Sequence, residues 1–146
     1  SPQDYHRVHC HDGGTLRELQ YQPGKLWPVF PAATKKIPHL FDRNERLVFH
    51  IEHFDRGNVQ SVLSMIGAFG VGRMTTDWNP VITNNHQAQQ DITILQTIQR
   101  GDELGRFELG STVVLFFQPE QIDEWQVEKG QTVRLGEPIA NMQFAN

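Results

Sequence analysis

The sequence predicts a mainly β protein, a barrel-sandwich-like antiparallel β domain with short helical turns. Three observations carry this expectation. Glycine (12) and proline (8) are spread through the 146 residues and bound short apolar runs. No segment sustains an apolar stripe at the 3.6-residue helical period. The runs themselves are β-branched or bulky, as in Leu47-Val48-Phe49-His50-Ile51.

In chain order, residues 4–9 read as a short helical turn and 14–21 as a strand. The proline-rich stretch 23–31 holds Trp27 and Phe30, which read equally as core or as surface. Ile37-Pro38-His39-Leu40-Phe41 followed by Asn44-Glu45-Arg46 reads as a turn of helix. Strands follow at 46–54 and 59–66, with Gly57-Asn58 as their hairpin turn. Residues 61–72 contain four glycine or alanine positions (Gly67, Ala68, Gly70, Gly72), which invite close backbone approach. Further strands are expected at 70–76, 92–98, 111–117 and 131–141, and the Asn/Gln-rich 83–91 is expected to be a loop. Phe116, Phe117 and Trp125 read as core residues with a lipid-facing alternative.

Composition narrows the function classes. Hydrophobic residues make up 38% and charged residues 21%, enough for a single domain over residues 1–146 to bury a core without metal or disulfides. Net charge is −4, so no basic surface is available for nucleic acid. The single Cys10 excludes an internal disulfide and suits a reducing compartment. The longest apolar run, Val113-Val114-Leu115-Phe116-Phe117, is too short to span a bilayer. Ser1-Pro2-Gln3-Asp4 reads as a start inside a longer chain.

Two clusters carry chemistry. Tyr5-His6-Arg7-Val8-His9-Cys10-His11 places three imidazoles and a thiol close together. It reads as a transition-metal site, as histidines hydrogen-bonded to backbone, or as acid–base groups titrating near neutral pH. Its spacing matches no zinc motif. The second cluster ends in Leu109-Gly110-Ser111-Thr112 ahead of the apolar run. It is not a Gly-x-Ser-x-Gly elbow. Gly110 leaves its carbonyl unshielded and tolerates unusual φ/ψ, so the Ser111 hydroxyl has access to the peptide carbon before it. Ser61, Ser64, Thr75 and Thr76 show no histidine pairing in the sequence and read as strand residues.

These clusters, with Asn44-Glu45-Arg46, Gly67-Ala68, Val71-Gly72 and Gly101-x-Glu103-x-Gly105-x-Phe107, resemble the C-terminal part of bacterial phosphatidylserine decarboxylase proenzymes, in order over almost the whole chain. The resemblance implies self-cleavage between Gly110 and Ser111, with Ser111 becoming a covalent pyruvoyl group. It implies His9 as the base that activates Ser111 and His6 as the residue handling the substrate. It also implies decarboxylation of phosphatidylserine to phosphatidylethanolamine through a Schiff base with the pyruvoyl ketone, which drains the developing charge. The partners implied are a phospholipid, the cytoplasmic face of a bacterial membrane held peripherally, and an upstream segment carrying the aspartate of an Asp-His-Ser arrangement. A homodimer stays open. Exposed apolar surface is expected where that upstream segment packs. His11 departs from the pattern, since proline is common there. A non-enzymatic β domain with a histidine-cluster metal or partner site is the alternative. Val127 to Ile139 also resembles the turn-and-strand sequence of biotinyl and lipoyl carrier domains, with Lys129 outside their pattern.

Overall fold

The computed structural model describes residues 3–54, 59–71, 73–78, 83, 87–110 and 112–143. The strands among them are β1 (Arg7–His9), β2 (Gly14–Gln22), β3 (Arg46–His53), β4 (Gln60–Ile66), β5 (Met74–Thr75), β6 (Gln90–Ile98), β7 (Glu103–Phe107), β8 (Val113–Phe117), β9 (Ile122–Trp125) and β10 (Ala140–Met142). Two short helices, α1 (Pro31–Lys36) and α2 (Leu40–Arg43), lie between β2 and β3. A five-stranded sheet has the order β6-β2-β3-β4-β8, a three-stranded sheet the order β1-β7-β5, and β9 pairs with β10. Every pairing between these strands is antiparallel. The predicted mainly β, antiparallel class with short helices is what forms, and the sheets do not close into a barrel.

β3 alternates strictly, with Leu47, Phe49, Ile51 and His53 inward. β2 would lose that phase after Leu16, but a bulge between Leu16 and Glu18 admits Arg17 and returns Leu19 and Tyr21 to the core. Gly14 is required at the start of β2, because a Cβ there would lie 2.3 Å from the Glu52 carbonyl oxygen. That close approach seats the turn after β1 against the end of β3.

Several local expectations are corrected. Residues 4–9 form no helical turn, because β1 finds a partner in β7. Residues 103–107 and 122–125 are strands, and 131–139 are not. The run 70–76 contributes only the two residues of β5, since Gly70 at φ +81° turns the chain. Helix α2 stops before Asn44, whose side chain is engaged elsewhere. The Gly57-Asn58 turn lies outside the described residues. Phe116 and Trp125 are not core, being 56% and 57% exposed. Phe30 is exposed, whereas Trp27 is half-buried under the Arg43 guanidinium, 4.6 Å from its ring centre. Phe69, Leu95 and Leu135 add to the exposed apolar surface. Among the described residues no helix is long and apolar enough to cross a membrane.

Candidate active site

β1 and β7 position the two candidate histidines at opposite ends of one strand pair. His9 lies opposite Glu103, and the His6 carbonyl accepts the Phe107 N–H at 2.9 Å. His6 is therefore at the end of β7 that leads into Gly110, and His9 at the end beside the turn 99–102. Gly101, at φ +91°, makes that turn possible.

Gly110 is held by its neighbours. Leu109 and Glu108 donate their N–H groups to the Val71 and Arg73 carbonyls at 2.8 and 2.9 Å. On the other side, the Thr112 carbonyl accepts the Ile66 N–H at 2.9 Å. Gly110 itself takes φ +65°, the left-handed region that favours glycine. Ser111 lies outside the described residues.

The His9 imidazole has a definite tautomer. Nδ1 is 2.7 Å from the Gly101 carbonyl oxygen, an acceptor, so Nδ1 carries the hydrogen. Nε2 then accepts the Tyr5 hydroxyl hydrogen at 2.6 Å, with the two rings stacked. Its basic nitrogen is thus available once Tyr5 turns away. His6 is different: its Nε2 is buried and has no hydrogen-bond partner among the described residues. An orphaned imidazole nitrogen is costly unless something else binds it.

His11 does not join His6 and His9. Its Nε2 is 2.8 Å from Ser61 Oγ, which also lies 2.7 Å from His53 Nε2. His53 Nδ1 faces the Gly13 carbonyl at 3.2 Å and the Asp12 carboxylate at 3.8 Å. Arg100 closes this group with an ion pair to Asp12 at 2.8 Å. Ser61 is thus paired to two histidines, contrary to its reading as a plain strand residue. Position in the sequence hides this, because the partners are 50 and 8 residues away. One signal existed: His53 falls on the buried phase of β3, set by Phe49 and Ile51.

A cavity of about 1240 Å³ adjoins these residues, bordered by His9, His11, Arg100, Asp123, Arg134 and Glu137 among others. No group of three or more His, Cys, Asp or Glu among the described residues is placed to hold a metal ion. Burial pushes the Cys10 thiol up to about 11, and its hydrogen is donated to the Asp12 carbonyl.

Burial, reinforced by the neighbouring His53, pushes His11 down to about 4 from 6.5. A lowered pKa means the folded state resists a proton that the unfolded chain accepts. The stability held by neutral His11 is therefore complete above pH 6.5 and is lost as pH falls toward about 4. The full loss is about 3 kcal/mol. Urea unfolding at neutral and acid pH should show this loss in the parent and a much smaller one in His11→Gln. Equal acid losses would remove His11 as the cause.

The fold and site define an antiparallel β protein in which a histidine-bearing strand runs beside a glycine held at positive φ, next to a cavity of mixed polar and apolar lining. The family model for phosphatidylserine decarboxylase matches residues 1–141. The chain belongs to that family. It is 36% identical to the phosphatidylserine decarboxylase proenzyme of Alteromonas mediterranea, covering 97% of this chain and 45% of that protein. It is 38% identical to the proenzyme of Nitrosococcus oceani, over 97% and 47%, and 39% identical to that of Ectopseudomonas mendocina, over 99% and 52%. The chain spans about half the length of these relatives.

Proposed function

We propose that the full-length protein containing this chain decarboxylates phosphatidylserine to phosphatidylethanolamine, using a pyruvoyl group derived from Ser111. Family membership over residues 1–141 carries the reading. Two observations at the site support it: Gly110 at φ +65°, and the orphaned, buried His6 Nε2 on the segment paired with β7.

Self-processing asks a hydroxyl to attack an amide, which needs a base. In this reading the Ser111 oxygen attacks the Gly110 carbonyl carbon and its proton passes to a base. The family pattern gives that role to His9, which stands at the end of the β1–β7 pair away from Gly110, so the transfer requires the full-length protein to bring the two together. The amide becomes an ester. β-Elimination then cleaves the ester, leaving a Gly110 carboxylate and a dehydroalanine. Water adds to the imine tautomer of the latter and ammonia leaves, giving the ketone. The aspartate that would orient His9 belongs to an upstream segment of the same proenzyme. Once formed, the pyruvoyl ketone supplies the electron sink for loss of the carboxylate. His6 binds the substrate headgroup at its free nitrogen and holds the proton that carbon needs. The exposed Phe116 and Trp125 suit contact with the lipid or with the upstream segment, and the protein acts peripherally at the cytoplasmic face of the bacterial membrane. The net charge of −4 makes apolar contact, not charge, the anchor.

Intact mass spectrometry of the full-length protein tests this. Two pieces divided at Gly110/Ser111, the second lighter by one ammonia, are expected. A single uncut chain would sink the self-processing reading. Gly110→Ala probes the same step. Its Cβ would meet only ordinary contacts at 3.8–3.9 Å, so the cost is that of φ +65°, about 1–2 kcal/mol. If cleavage uses that conformation, it should slow about 5- to 30-fold. Unchanged cleavage would show that another conformation reacts.

A further inference from the structure

One buried polar group has no part in the chemistry above: Asp12, His53, Ser61 and His11. Its hydrogens can be assigned from the acceptors around it. The Ser61 hydroxyl carries one hydrogen, so it donates to one imidazole and accepts from the other. His53 Nδ1 faces two acceptors, the Gly13 carbonyl and the Asp12 carboxylate, so it carries a hydrogen. In the neutral state His53 Nε2 accepts the Ser61 O–H, and Ser61 Oγ accepts N–H from His11 Nε2. His11 Nδ1 is then a bare lone pair, and it is buried with no hydrogen-bond partner among the described residues.

A nucleophilic Ser-His-Asp triad does not fit. Ser61 is 2% exposed, and imidazoles occupy its oxygen from both sides. No room is left for a substrate carbonyl. The arrangement suits proton transfer instead.

We propose that His11, Ser61, His53 and Asp12 form a proton-binding relay that takes up one proton at His11 and holds it on His53. The steps balance. A proton bonds to His11 Nδ1. The His11 Nε2–H bond breaks as a new Ser61 O–H bond forms. The original Ser61 O–H bond breaks as His53 Nε2–H forms. His11 ends neutral with its tautomer inverted, and His53 ends as an imidazolium beside the Asp12 carboxylate. Entry is at His11 because it borders the cavity, whereas the His53 side chain is 0% exposed.

The surrounding charges favour this end point. From its own turn His11 meets Asp12, from the turn 99–102 Arg100, from β3 His53, and from β8 only the Phe117 ring. The other charged residues bordering the cavity are Asp123 on β9, Arg134 and Glu137. The Asp12 carboxylate lies 3.8 Å from His53 Nδ1. The pair takes one proton and not two, since the rings are 5.5 Å apart and both are sheltered from water. The low proton affinity of His11 accords with that limit. The accepting nitrogen thus lies just beneath the cavity wall that His11 helps to form, and the charge appears deeper still, on His53. If the decarboxylase reading holds, the donor served is a primary ammonium, which must lose a proton before its nitrogen attacks a ketone. The relay itself does not depend on that reading.

The test is ¹⁵N–¹H correlation of histidine-labelled full-length protein, read between about pH 8 and pH 5. One shared transition is expected, in which His53 becomes doubly protonated while His11 changes from Nε2–H to Nδ1–H. In Ser61→Ala, His53 should titrate with no tautomer change at His11. Ser61→Thr, which keeps the hydroxyl, should restore the coupling. The relay is overturned if His11 becomes the cation first, if its tautomer never changes in the parent, or if the coupling survives in Ser61→Ala. The parent spectra decide the matter even where a variant does not fold, and none of these readouts depends on decarboxylase activity.

Discussion

Replacing Ser111 with alanine is expected to leave the full-length protein as one uncut chain with no decarboxylation above background. The reason is chemical. Without the hydroxyl there is no ester, no elimination and no ketone, so nothing drains charge from the carbon that loses its carboxylate. The entire enhancement goes, on the order of 10⁶-fold or more. Ser111→Cys keeps a nucleophile at the same place and should retain some cleavage, because a thiol attacks carbonyls without a strong base. The measurement pairs intact mass with product formation from phosphatidylserine in mixed micelles. Activity persisting in an uncut Ser111→Ala protein would remove the pyruvoyl group from the mechanism while leaving family membership intact.

The second large effect is structural and falls on Asn44. This residue is 0% exposed and ties three segments together. Its Nδ2 donates to the Trp27 carbonyl at 2.7 Å and to the Gly67 carbonyl at 2.9 Å, while Oδ1 accepts the Trp27 N–H at 3.1 Å. Around it, Gly67 N–H bonds to the Glu45 carbonyl, and Glu45 N–H to that of Lys25. Asn44→Asp keeps the shape and the acceptor. It loses both donors and sets a charge against two carbonyl oxygens. Leaving a buried charge without compensation costs about 3–5 kcal/mol. That is a large part of a domain's typical 5–15 kcal/mol. A fall in Tm of roughly 6–20 °C is expected in the full-length protein. Asn44→Ala, which adds no charge, should lose less. A change under about 2 °C for the aspartate would show that the side chain is not the tie the distances suggest. The segment held matters for the site too, since Ile66, the neighbour of Gly67, binds the Thr112 carbonyl.

Legibility in the sequence varied with how local the cause was. The strands β2, β3, β4 and β6 were recognisable because each carries its own alternation or apolar run. Their ends shifted by one or two residues, where pairing and not composition decides the boundary. β1, β7 and β9 were not recognisable. Each is short and exists because a partner supplies its hydrogen bonds; Arg7-Val8-His9 has no strand signal apart from β7. The segment 131–139 failed in the opposite sense: it joins no strand ladder, its Ile139 carbonyl accepts the Gln126 N–H at 2.9 Å, and the ladder with β9 runs over Ala140–Met142.

The candidate site divides along the same line. The motif Leu109-Gly110-Ser111-Thr112 and the spacing of His6 and His9 were visible as residue types. The freedom claimed for Gly110 reappears as φ +65°. The tautomer of His9, the orphaned nitrogen of His6 and the pairing of Ser61 were not visible, because each depends on an atom far away in the chain. By itself, then, the sequence determined the β class, the family and the residues able to do chemistry, all of which follow from local pattern. Only the tertiary structure decided which nitrogen is free, which serine meets a histidine and which aromatic stays exposed. Those depend on strand register and on close approaches such as Gly14 against Glu52, and no local pattern specifies them.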